Sequence, residues 1–133
     1  MINYVEKLQE NPCGVFATQE NGRVKTRVFQ YLFAEGNKVY FCTSNEKDVF
    51  KQIKENNYVS FCVNTKDYSE VLSINGKAIF VDDVELKDKI LEMYPNIKGI
   101  YKSGGNPVFE AFYVDVEEVE TFTFTEGAKK VKI

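Results

Sequence analysis

Hydrophobic and polar positions alternate with a period of two along most of this chain, and helical spacing interrupts that alternation only in short stretches. Cys13 to Gln19 (CGVFATQ) is a short strand, and Glu20-Asn21-Gly22 after it is a turn, because Asn-Gly supplies the positive φ values of a tight hairpin. The return strand, Arg23 to Ala34, places Val24, Thr26, Val28, Gln30 and Leu32 on one face and Lys25, Arg27, Phe29, Tyr31 and Phe33 on the other. Glu35-Gly36-Asn37 turns the chain again, and Val39, Phe41 and Thr43 alternate with Tyr40, Cys42 and Ser44. Val49, Phe50 and Ile53 then share a helical face, and Thr43 with Glu46, or Asn45 with Asp48, has the spacing of a helix N-cap.

Tyr58 to Asn64 and Ser69 to Asp82 are further strands, with Gly76 marking a bulge or close approach inside the second. Ile2 to Glu10 and Val84 to Tyr94 have helical spacing, each ended by a proline that cannot continue the helix. Pro95 to Pro107 reads as irregular around Ser103-Gly104-Gly105-Asn106, and Phe109 to Val116 and Val119 to Thr125 close the chain as two strands. About six or seven strands with hairpin-like connections and two or three short helices predict a closed, mainly β antiparallel barrel with helices at its edges. A parallel sheet would need a helix at nearly every crossover, and the sequence lacks them.

The chain has 133 residues, which fits a single domain spanning 1–133. An apolar fraction of 44%, with eleven Phe and eight Tyr, supports a packed core and argues against disorder. Net charge is −3 and no dense basic run occurs, so nucleic acid is not an expected partner; the C-terminal Lys-Lys-Val-Lys reads as a solvated tail. No window approaches the roughly 18 apolar residues of a membrane span, and no secretory n-region or long apolar stretch opens the chain. Cys13, Cys42 and Cys62 are odd in number, widely spaced and set among apolar residues, the pattern of buried free thiols in a reducing, cytoplasmic setting. Histidine is absent, which excludes Ser-His-Asp and Cys-His catalysis and any histidine metal site; no metal is expected.

The junction from Thr43 to Lys47 carries the chemistry. A helix start exposes unpaired N–H groups and a partial positive charge. With the Thr43 and Ser44 hydroxyls and the Lys47 ammonium it forms either an anion cradle or a plainly capped helix with a solvated lysine. Antiparallel pairing about Glu35-Gly36-Asn37 would bring Arg27 towards Thr43, Ser44 and Lys47, and that convergence favours phosphate.

The ordered pieces Gly14-Val15-Phe16-Ala17-Thr18, Thr26-Arg27-Val28-Phe29, Tyr40-Phe41-Cys42-Thr43-Ser44-Asn45-Glu46-Lys47 and Gly76-Lys77-Ala78 resemble the pyridoxamine 5′-phosphate oxidase-like flavoproteins. The resemblance covers most of the chain and is weakest from Tyr94 to Pro107. It implies an FMN-binding split β-barrel and a homodimer with FMN at the subunit interface. It also implies flavin-mediated hydride or electron transfer with an unknown small-molecule substrate or electron donor. By the same resemblance Arg27 and Lys47 would hold the FMN phosphate, with Ser44 and Thr43. The backbone at Val28, Phe29, Phe41, Cys42 and Thr43 would flank the flavin ring, and Phe109, Glu110 and Phe112 would complete the partner's pocket. The family's oxidases end in a motif of arginine and histidine that grips pyridoxal phosphate. This chain ends VETFTFTEGAKKVKI, with no arginine after Arg27, so the resemblance implies FMN binding without that substrate. Catalytic residues are not assigned. The alternatives are a non-catalytic FMN carrier, electron shuttle or sensor, and a barrel for an apolar ligand or a deazaflavin.

Overall fold

The side chain of Asn3 accepts the Glu6 N–H and so opens the first helix, α1 (Tyr4–Glu10), in a computed structural model that describes residues 3–133. Ile2, the expected start of that helix, lies outside the described residues. β1 (Cys13–Glu20) and β2 (Arg23–Gln30) form the hairpin that Asn21-Gly22 predicts, with φ of 50° and 78° at the two turn residues. They pair from Glu20–Arg23 through to Cys13–Gln30.

The expected long strand Arg23 to Ala34 does not stay one strand. The Tyr31 N–H bonds to Pro12 O and the Leu32 N–H to Tyr40 O, so the chain changes partner there. It continues as β3 (Phe33–Glu35), which pairs with β4 (Lys38–Ser44), while β2 pairs with β1 alone. Tyr31 and Leu32 are both buried at this corner, and their burial holds the bend.

After β4 come α2 (Asp48–Glu55), β5 (Tyr58–Asn64), β6 (Glu70–Val81), α3 (Val84–Met93), α4 (Pro95–Tyr101), β7 (Phe109–Thr123) and β8 (Gly127–Lys132). The described residues thus hold eight strands and four short helices, one strand more than the sequence reading allows for. α4 occupies half of the segment expected to be irregular, with Pro95 in its first turn, where its missing N–H costs nothing. The two expected C-terminal strands are one continuous β7, and the lysine-rich tail is β8, whose Lys132 and Lys130 stand opposite Glu118 and Glu120 of β7.

All pairings are antiparallel, in the order β2-β1-β5-β6-β7-β4-β3 with β8 on the second half of β7. The sheet curls around its core but is not closed: β2 and β3 are its ends, so the closed barrel expected from the strand pattern gives way to the split barrel that the resemblance implies. Gly76 sits where the β6–β7 register shifts, and a Cβ there would lie 2.1 Å from the Asp115 carbonyl oxygen. Only glycine permits that approach. The interior is aromatic: Phe16, Phe41, Phe61 and Phe112 are fully buried with ring centroids 4.8–6.2 Å apart. A second cluster, Leu32, Ile90, Leu91, Phe109 and Ala111, joins β7 to α3.

Candidate functional site

The gap in the barrel lies between β2, whose outer edge has no strand partner, and the Phe41–Ser44 stretch of β4, which is paired on the β7 side only. Phe29 of β2 and Phe41 of β4 approach across the interior, with ring centroids 6.2 Å apart. Arg27 stands two residues before Phe29, Thr43 two residues after Phe41, and the strands run in opposite senses. Both therefore lie towards the same end of the interior, where α2 begins.

Arg27 is half-buried and held by neutral acceptors. One guanidinium nitrogen, Nη1, donates to Phe16 O (3.1 Å), Thr18 Oγ1 (2.8 Å) and Lys25 O (3.4 Å); the other, Nη2, donates to Gln52 Oε1 (2.6 Å). Gln52, buried on α2, also accepts from the Thr18 hydroxyl at 2.5 Å and donates through Nε2 to Glu20 Oε2 at 2.6 Å. Burial lowers the Arg27 pKa from its ordinary value. Among the described residues no carboxylate forms an ion pair with it. Its positive charge is fixed in place and unneutralised, the condition in which a guanidinium attracts an anion.

Arg27 does not meet the Thr43–Lys47 junction as the hairpin register predicts. Because β2 and β4 are not ladder neighbours, no hydrogen bond joins Arg27 to Thr43, Ser44 or Lys47 among the described residues. The connection to α2 runs instead through Gln52, one helical turn, about 6 Å, beyond Asp48 on the same face. Sequence reading missed Gln52 and Thr18. A glutamine on an otherwise apolar helical face, beside Val49 and Ile53, was the available signal.

α2 has Lys47 as its N-cap and no side-chain cap, so neither predicted cap forms. Ser44 Oγ accepts the Glu46 N–H, and the Asn45 amide donates to Pro107 O and Glu110 Oε2. Thr43 Oγ1 is buried and has no hydrogen-bond partner among the described residues. A buried hydroxyl without a partner is costly unless something else satisfies it. An orphaned hydroxyl, an unneutralised guanidinium, an exposed lysine and an uncapped helix start make a donor set suited in kind to a phosphate-bearing cofactor.

The other predicted positions divide. Val28 is 70% exposed on the outer face, whereas Phe29 turns inward onto Phe16. Phe41 is fully buried, and its backbone is paired with β7 alone. Cys42 packs behind β4 with the α3–α4 cluster, and burial pushes its thiol up to about 12. Phe109 and Phe112 are fully buried in this chain's own core. Glu110, half-buried, is engaged by Asn45. The expected burial of all three thiols also fails, since Cys13 is exposed. No helix among the described residues is long and apolar enough to cross a membrane, and no cluster of metal-ligating side chains is present among them.

Comparison with known proteins places this geometry. A family model described as pyridoxamine 5′-phosphate oxidase matches residues 2–123, and the chain belongs to that family. A search of curated proteins found no match in sequence. Among solved structures, a NimC/NimA family protein from Clostridium acetobutylicum is similar with a TM-score of 0.86 and 25% identity, over 98% of this chain and 90% of that one. A protein of the same organism, related to general stress protein 26, has a TM-score of 0.82 and 17% identity over 96% and 90% of the two chains. A heme binding protein from Mycobacterium smegmatis has a TM-score of 0.75 and 14% identity over 93% of this chain and 54% of that one. At these identities the last two show the shared fold.

Proposed function

We propose, proceeding from membership of the pyridoxamine 5′-phosphate oxidase family, that the chain is an FMN-binding flavoprotein acting as a small-molecule oxidoreductase. The observation that carries this reading is the half-buried Arg27 guanidinium, held only by neutral acceptors at the α2 end of the barrel gap. Arg27 and Lys47 would hold the phosphate, with the Thr43 hydroxyl as a further donor and the β4 edge that has no strand partner on the gap side beside the ring. Flavin supplies redox chemistry that the protein's own side chains lack. This chain's part is to fix the phosphate, orient the ring and keep water from it; Gln52 holds the guanidinium in one orientation for that purpose. The chain offers no histidine to a haem iron, which favours flavin over haem.

The homodimer belongs to the same reading. The outer face of β1 and β2 carries the cross-strand pairs Val15–Val28, Ala17–Thr26 and Gln19–Val24, none of them charged, and Val24 and Val28 are over two-thirds exposed. A second copy would cover this apolar face and bring its own residues to the gap. A non-catalytic FMN carrier, electron shuttle or sensor is the second reading, favoured by the absence of histidine for proton transfer.

FMN titrations followed by flavin fluorescence test the site. Arg27→Met and Lys47→Met should each weaken binding by roughly 10- to 100-fold, the worth of one charge-assisted contact. Unchanged affinity in both would reject the assignment. Turnover with a reduced nicotinamide above the free-FMN rate separates the enzyme from the carrier.

A further inference from the structure

A second cavity lies on the opposite side of α2 from Arg27. Phe50 and Lys54 are one turn apart on α2 and about 200° around the helix from Gln52. With Phe80, Lys87, Glu110 and the Gly104–Pro107 loop they line an open pocket of about 450 Å³, within the size range of small-molecule sites. The glycine-rich loop that stood out in the sequence is one of its walls.

Lys87 is the unexplained group. Its side chain is only 8% exposed, yet its ammonium makes no hydrogen bond among the described residues. Its one ionic neighbour is the Asp82 carboxylate at 3.6 Å, on a side chain 98% exposed to water. The aliphatic stem is packed away while the nitrogen itself keeps access to the cavity, so the ammonium is presented there with no hydrogen-bond partner among the described residues. Beside it, Phe50 and Phe80 pack at 4.7 Å, and the Lys54 ammonium lies over both rings at 5.4 and 5.1 Å. Two carboxylates also line the pocket: Asp82, and Glu110 with one oxygen held by Asn45. Because water screens the fully exposed Asp82, the two ammoniums outweigh the remaining carboxylate by one effective charge, which suits a monoanion and not a polyanion such as a polyphosphate.

We propose that this pocket binds a small monoanionic molecule with a ring: an aromatic carboxylate whose carboxylate meets Lys87 and whose ring lies on the Phe50–Phe80 pair. Nothing in the pocket depends on a bound flavin.

Sodium benzoate is the probe, with benzyl alcohol as the uncharged control, titrated into the ¹⁵N-labelled full chain with and without FMN. Benzoate should cause saturable amide shifts confined to the 50–54, 82–87 and 104–110 segments, and benzyl alcohol should bind at least tenfold more weakly. Lys87→Met should weaken benzoate by about tenfold or more, and Lys87→Arg should restore it. Phe50→Ala, which keeps the lysine, should weaken it by about threefold or more and serves if Lys87→Met does not fold. Shifts that do not saturate or that map elsewhere, equal binding of benzyl alcohol, or full affinity in the variants would overturn the proposal.

Discussion

Gln52→Leu removes the residue that ties β1, β2 and α2 together while preserving side-chain bulk. Three contacts disappear: from Thr18 Oγ1 at 2.5 Å, from Arg27 Nη2 at 2.6 Å and to Glu20 Oε2 at 2.6 Å. Thr18 is buried, so its lost neutral bond costs about 1 kcal/mol. Arg27 is half-buried and water replaces part of what it loses, leaving about 1 kcal/mol; the Glu20 contact lies nearer solvent and adds about 0.5 kcal/mol. The leucine returns some apolar burial, so the net loss is about 1.5–2.5 kcal/mol. The chain has no tryptophan, so urea unfolding is best followed by tyrosine fluorescence and far-UV circular dichroism. With a slope of ~2 kcal/mol/M the midpoint should fall by about 1 M. A fall below about 0.3 M at unchanged slope would refute the network as a structural tie. In a second arm, Gln52→Glu places a carboxylate beside Arg27 and should weaken FMN binding by at least about fivefold; undiminished affinity would separate Arg27 from the phosphate.

Three further outcomes follow from the same structure. Gly76→Ala puts a methyl 2.1 Å from the Asp115 carbonyl and should cost on the order of 2–3 kcal/mol in urea unfolding; a neutral result would place the β6–β7 bulge elsewhere. Thr43→Val removes the orphaned hydroxyl and should leave the FMN-free protein unchanged or about 1 kcal/mol more stable while weakening FMN binding. Destabilisation by Thr43→Val would mean that the hydroxyl already has a partner. Cys42 carries a folded pKa of about 12 against an ordinary 9.0, so above pH 9 the unfolded chain sheds its proton first and stability falls as pH rises. That contribution reaches about 1.4 kcal/mol by pH 10, and Cys42→Ala should show a correspondingly shallower alkaline loss in urea midpoints from pH 8 to 10; equal slopes would contradict the shift.

Much of the fold was legible because local chemistry dictated it. Asn21-Gly22 could hardly be anything but a positive-φ hairpin turn, Gly76 marked a backbone contact that no side chain tolerates, and the Leu86, Ile90 and Leu91 spacing fixed α3. What escaped was set at a distance. Nothing in Arg23 to Ala34 announces a bend, because its cause is the switch of hydrogen bonds at Tyr31 and Leu32 from Pro12 to Tyr40, and that switch moved Arg27 from the expected register onto Phe16 and Gln52. β8 was hidden because its lysines read as solvated until Glu118 and Glu120 stand opposite them. Phe109 and Phe112 sit in an alternating strand pattern that core packing explains as well as a partner contact does, and the fold buries both in this chain's own core.

The most direct measurement is the visible spectrum of the purified protein and of Arg27→Met, each mixed with FMN and then desalted. The account predicts that the wild-type chain retains close to one flavin per chain and that Arg27→Met emerges nearly colourless. A wild-type protein that releases FMN, or an Arg27→Met variant that keeps it as well as the wild type, would contradict it.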